Sequence, residues 1–188
     1  MDNTEYKQIR AVYTADTIRV YQAYRSEIAE QAVKLGHFGD KFSLERMTWI
    51  KPSFLWMMYR CGWAKKEGQE RVLAIDIDRT GFDSMLKNAV VSSYKKELGI
   101  SMDEWKAQIH SSEIRVQWDP ERDIYGNPLN YRSLQLGIRG ESVKKYVYEW
   151  TKNITDITDY VTKLDSLKNS GVDITDRLPK EMIYPCEQ

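Results

Sequence analysis

The chain has 188 residues, and its 28 Lys and Arg balance its 28 Asp and Glu. That length suits one domain burying roughly 70% of the surface its unfolded chain exposes, and the balanced charge excludes a global field steering the chain to nucleic acid or an anionic membrane. Two Cys (Cys61, Cys186) and two His (His37, His110) make neither a disulfide framework nor a zinc cluster, and the opening Met-Asp-Asn-Thr-Glu-Tyr-Lys has no signal-peptide apolar stretch.

In chain order, Gln8 to Thr14 alternates and is β-prone, which predicts a first strand. Thr14 or Asp16 is then expected to cap a helix on which Ile18, Tyr21, Tyr24 or Arg25, Ile28, Ala32 and Leu35 recur, ending at Gly36-His-Phe-Gly39. Pro52 fits a first helical position and Gly62 a stop, so a short helix is expected from Pro52 to Cys61, followed by a polar turn over Lys65 to Gln69. Arg71 to Asp78 is the clearest strand, with a helix after it from about Gly81 to Val91. Asp103 to His110 reads as helical.

Ile114, Val116 and Trp118 alternate with Arg115 and Gln117, a strand that Asp119-Pro120 should end. Gly126-Asn-Pro128 turns the chain, and Leu134, Leu136 and Ile138 alternate with Ser133, Gln135 and Gly137 in a second half-polar strand. Glu141 to Trp150 places Val143, Tyr146, Val147 and Trp150 on one helical face. Ile157, Tyr160, Val161, Leu164 and Leu167 do the same for a last helix closed near Gly171, before an extended tail to Gln188. Half-polar strands fit antiparallel pairing better than a buried parallel sheet, so the expected fold is a single α+β domain with its core over about residues 8–184.

The block from Arg46 to Trp63 holds three Trp, a Phe, a Tyr, three Met and three basic residues. Phe54, Leu55, Trp56, Met57, Met58 and Tyr59 cover every face of the short helix, so it should be buried nearly all round, with Trp56, Met57 and Met58 in the core. Arg46, Lys51 and Arg60 must then be buried with partners, or must line a cleft where an anion supplies the missing charge. Tyr59 and Trp63 are candidates to face the same cleft.

Gln8 to Tyr24, Glu45 to Trp63, Val72-Leu-Ala-Ile-Asp76, Val116 to Asp123 and Tyr131-Arg-Ser-Leu-Gln-Leu-Gly137 together resemble an uncharacterised family, the domain of unknown function numbered 4291. The resemblance spans nearly the whole chain. It implies a complete domain and brings no activity with it.

Val72-Leu-Ala-Ile-Asp-Ile-Asp-Arg-Thr-Gly81 imitates the opening motif of haloacid-dehalogenase-type phosphatases, in which a strand-end Asp attacks phosphorus. Only about 110 residues follow and no late acidic pair closes a metal site, so Asp76 and Asp78 are expected to cap the next helix or pair with Arg. Gln117-Trp-Asp-Pro-Glu-Arg-Asp123 puts three carboxylates past a strand end, a common place for catalytic groups, with a solvated acidic turn as the bland alternative. Tyr21 and Tyr24 are expected in the core, and Arg10 is the ligand candidate on the first strand. Cys61, at a helix C-terminus where the dipole disfavours a thiolate, reads as a packed thiol.

These residues suggest one cleft built from Arg10, Arg46, Lys51, Arg60, Gln117 and Glu121, with Tyr59 and Trp63 beside it. Arg and Lys next to aromatic rings suit a phosphate and a base, so the leading expectation is a cytoplasmic enzyme on a nucleotide-type substrate, with Glu121 catalytic. A strand Arg, a helix entered through Lys-Pro-Ser and a late Glu loosely parallel ADP-ribosyltransferases, which would make NAD the cofactor and nucleic acid or protein the acceptor. A non-catalytic RNA or single-stranded DNA binding module, or an interaction domain using a Trp-rich surface, are the other two classes. No metal site is expected, and no membrane partner.

Overall fold

A computed structural model describes residues 6–185 of the chain, so Cys186 and the last residues of the tail lie outside the described residues. Its elements are Arg10–Ala11 (β1), Thr17–Tyr24 (β2), Ser26–Leu35 (α1), Thr48–Ile50 (β3), Phe54–Cys61 (α2), Arg71–Asp78 (β4), Arg79–Lys87 (α3), Val90–Val91 (β5), Met102–Ser111 (α4), Ile114–Arg122 (β6), Pro128–Ile138 (β7), Glu141–Lys145 (α5), Thr151–Asp156 (β8), Thr158–Asn169 (α6) and Met182–Ile183 (β9). The strands form three sheets, ordered β2-β4-β8, β3-β7-β6-β5 and β1-β9. Every pairing is antiparallel except β5 with β6, which is the α+β architecture the half-polar strands suggest.

β4 is the middle strand of its sheet and is covered on both faces. Leu73, Ile75 and Ile77 join Ile18 and Val20 of β2 in a core shared with α1, α3 and the apolar face of β6 and β7. Val72 and Ala74 face the other way, with Tyr21, onto α2 and α6. A strand buried on both faces reads as a near-continuous apolar run, which is why Arg71 to Asp78 stands out in the sequence.

Thr17 to Tyr24 corrects the expected helix. Its eight residues pair in register with Asp78 to Arg71, and the helix begins only at Ser26. Thr-Ile-Arg-Val-Tyr is β-prone, and a whole strand's worth of ladder bonds to β4 outweighs the accidental helical spacing. Thr14 and Asp16 form the turn before β2, with Thr14 Oγ1 accepting from the Asp16 and Thr17 backbone N–H groups. Three smaller differences follow the same logic. Val90–Val91 leaves the helix to pair beside β6. Thr151 to Asp156 is a strand on β4. β6 runs through Pro120, because its register shifts between Pro120 and Arg122 and a proline is tolerated at such an irregularity.

α2 lies where the sequence puts it, with small shifts at its start. Ser53 is its cap, accepting from Trp56 N at 3.1 Å, and Gly62 closes it in the left-handed conformation at φ 59°. Phe54, Trp56, Met57, Met58 and Cys61 are buried, while Tyr59 and Arg60 are exposed, so one side of the helix remains open. The tail returns across the body. β9 pairs with β1, and Tyr184 is buried against Tyr13 and Phe82.

A candidate site of two cavities beside the second helix

The basic residues of the Trp-rich block do line a cleft. A cavity of about 580 Å³ is bounded by β2, β3, the open side of α2 and the segment after α1. Its walls include Tyr24, Phe42 and Trp49, and its cationic side chains are Arg25, Lys41, Arg46, Lys51 and Arg60. None of the side chains lining it, among the described residues, is a carboxylate. Arg25 pairs with Glu27 at 2.9 Å. Lys41, Arg46, Lys51 and Arg60 form no ion pair within 4 Å among the described residues.

Lys51 is the unusual member, only 6% exposed where Lys41, Arg46 and Arg60 are exposed. It follows β3 directly, and its backbone carbonyl accepts from Tyr21 N at 2.7 Å, which fixes it between the two larger sheets. Its ammonium makes one long bond, to the Trp49 carbonyl at 3.4 Å, and lies 5.9 Å from the Trp56 ring centre. Burial, reinforced by the Arg60 charge and opposed by Asp119, pushes the Lys51 amine down to about 8. The cleft therefore contains positive charge that the surrounding residues leave unbalanced.

Arg10 and Glu121 line a different cavity, of about 380 Å³, with Ser53, Tyr131 and Glu181. The shift in β6 register leaves Glu121 without a cross-strand partner and turns it inward, where it is 3% exposed. Burial raises its carboxyl, against bonds from the Arg122 N–H and from the Ser53 and Ser133 hydroxyls and the charge of Arg10. Glu181, arriving from the tail, accepts from Phe54 N at the start of α2 at 2.6 Å. The residue is partly exposed, but its carboxyl is desolvated and is pushed up to about 8, with the nearby Glu121 adding to the effect. Glu181, Ser53 and Tyr131 were not legible as site residues. Glu181 in particular reads as an ordinary charge in a polar tail until the chain returns to α2.

The single cleft expected from the sequence is thus divided. Arg46, Lys51 and Arg60 are together, Arg10 and Glu121 are together, and the polar face of β6 and β7 carries further polar groups. On that face Gln117 donates to Asp119 Oδ1 at 2.9 Å and Gln135 donates to Asp119 Oδ2 at 2.7 Å. Gln117 is held there by Asp119 and lines neither cavity.

The two aromatic candidates are engaged elsewhere. Tyr59 stacks under the Arg122 guanidinium at 4.0 Å, outside both cavities. Trp63 is 9% exposed, packs on Phe54 and lies 4.0 Å from the Lys168 ammonium. Its left-handed backbone, φ 56°, swings it into the core, an uncommon conformation for a large side chain. Trp49, Tyr24 and Phe42 are the rings at the cationic cleft instead.

The other carboxylates have structural partners. Asp76 accepts two bonds from the Arg19 guanidinium, at 2.8 and 2.9 Å. Asp78 caps α3 by accepting from Thr80 N and Gly81 N. Asp123 organises the β6–β7 turn through the Tyr125 and Asn127 backbone N–H groups. Cys61 is buried, and burial pushes its thiol up. Among the described residues no helix is long and apolar enough to cross a membrane.

A family model described as Domain of unknown function (DUF4291) matches residues 8–184. No curated protein matches the chain.

Proposed function

The chain belongs to the DUF4291 family over nearly its whole length, and on this basis of fold and site we propose that it is a cytoplasmic enzyme acting on a nucleotide-type substrate held by its phosphate. One observation carries the reading: a buried, unpaired Lys51 at the base of a cavity where Arg46 and Arg60 also lack ion-pair partners among the described residues. Uncompensated buried cations are costly, and a bound phosphate offsets that cost with charge-assisted bonds. The half-buried Tyr24 and Trp49 on the wall offer ring surface for an aromatic base.

Glu121 supplies the candidate catalytic carboxylate, buried and with its carboxyl raised, conditions that suit acid–base work. An ADP-ribosyl transfer from NAD to nucleic acid or protein is the specific form in which Glu121 would orient the ribose. It requires one substrate to reach from Lys51 past α2 to the Arg10 and Glu121 cavity. A thermal-shift panel of NAD, ATP, GTP, coenzyme A and short RNA and DNA tests the reading. A bound ligand at about 100 times its dissociation constant adds about 2.7 kcal/mol of stability. Arg60→Ala should lose that gain, and Glu121→Gln should keep it while losing turnover. A flat response across the panel would sink the proposal.

A non-catalytic RNA or single-stranded DNA binding module would use the same cations, and its affinity would fall steeply with salt while Glu121→Gln changed nothing. The burial of Trp56 and Trp63 weighs against an interaction domain built on a Trp-rich surface.

A further inference from the structure

We infer that the group reaching Lys51 is a terminal phosphate, a phosphate monoester at the end of a nucleotide or of a nucleic-acid strand, and not an internal phosphodiester. The inference rests on the phosphate reading above and narrows it to ligands that end in a phosphate monoester, which sets aside NAD, whose two phosphates are internal, as the group at Lys51.

The exposure gradient is the first support. Arg25, Lys41, Arg46 and Arg60 stand exposed around the mouth of the cavity, while Lys51 lies at its floor beside the buried Gln22 and Thr48. An internal diester has a sugar on each side, so its strand runs along the mouth and meets the outer cations. A terminal group projects, and can descend.

The floor itself is the second support. Gln22 donates to Thr48 Oγ1 at 2.6 Å and to the Trp49 carbonyl at 3.1 Å, and accepts from Tyr146 OH at 2.7 Å. Tyr24 OH shares a 3.1 Å bond with Thr48 Oγ1. Those groups are used on one another. The Lys51 ammonium has three N–H donors, and its one protein acceptor is the distant Trp49 carbonyl at 3.4 Å. One hydroxyl hydrogen of the Tyr24–Thr48 pair is left over, and the cationic donors at the floor are those of Lys51.

Charge is the third. A monoester brings about −1.5 to −2 and three terminal oxygens, enough for Lys51 at the floor and Arg46 and Arg60 above it. A diester brings a single charge and two such oxygens, and would leave more of this cluster unbalanced. The desolvated Lys51 amine, lowered to about 8, gains most from the higher charge.

Titration calorimetry on the intact chain decides the matter, using a nucleoside 5′-monophosphate against its methyl ester, and 5′-phosphorylated against 5′-hydroxyl oligonucleotides of one sequence. The monoester should bind at least about tenfold more tightly than its methyl ester, and inorganic phosphate should compete with it. Lys51→Met should bring the two ligands to similar affinity, whereas Arg60→Gln should weaken both and leave the monoester the tighter ligand. Equal affinity for the two in the parent chain, or a preference that survives Lys51→Met, overturns the inference and leaves the phosphate reading standing. If neither ligand binds while NAD does, the inference falls and the phosphate reading stands; if NAD and the oligonucleotides fail as well, both readings fall.

Discussion

The backbone N–H of Phe54 donates to Glu181 Oε1 at 2.6 Å, so the first turn of α2 is completed by a carboxylate 127 residues further along the chain. The bond ties the tail to the helix that separates the two cavities, and it places a second acid beside Glu121 and Arg10.

That acid makes stability pH-dependent. Its ordinary value is 4.5 and its folded value is about 8, so between the two the folded chain holds a proton that the unfolded chain releases. The stabilisation is complete below the lower value and is lost as pH rises through the upper one. Glu181→Gln should flatten this fall, read as urea midpoints across the same window. A variant profile that follows the parent's would remove Glu181 as its source.

Lys51 acts in the opposite direction. Its amine is lowered from 10.5 to about 8, so the folded chain binds fewer protons over that range and stability rises with pH there. A bound phosphate restores the ammonium, and calorimetry in buffers of different ionisation enthalpy near the upper half of the range should show proton uptake on binding. Lys51→Met should melt higher than the parent without ligand and gain less from phosphate than the parent does. A Lys51→Met variant of lowered stability would contradict this account.

Trp56 is 7% exposed on α2, and its indole N–H is buried without a partner among the described residues. Trp56→Ala should cost about 3–5 kcal/mol through the cavity it leaves. Trp56→Phe should cost much less, because no hydrogen bond is lost and most of the ring volume remains. Denaturant unfolding of the two variants checks the ratio, and an alanine variant that unfolds like the parent would displace α2 from its central role.

Asp76 tests the resemblance of Val72 to Gly81 to a phosphatase motif. Its carboxylate is held by the Nε and Nη2 N–H groups of the Arg19 guanidinium across β2 and β4. Asp76→Asn should lower stability by about 1.5–3 kcal/mol, the range for hydrogen bonds to charged groups, and leave ligand-induced stabilisation unchanged. Loss of ligand response with intact stability would instead point to Asp76 as a functional group.

Local signals determined much of this protein by themselves. β4 is a continuous apolar run, Pro52 and Gly62 mark the ends of α2 to within two residues, and the alternation along β6 and β7 sets the antiparallel class. The same signals put Arg46, Lys51 and Arg60 in one anion-seeking group, because three cations in an apolar block have few cheap alternatives. Tertiary structure decided what depends on partners distant in sequence. Thr17 to Tyr24 became a strand through its ladder to β4, which no window around Tyr21 contains. Trp63 became core through a left-handed turn, and Tyr59 was taken by Arg122. Glu181 became part of the site only when the tail crossed to α2, and the interruption in β6 that turns Glu121 inward separated it from Lys51. Propensity and periodicity act over a few residues, whereas a cavity is defined by whichever side chains the folded chain leaves facing one another.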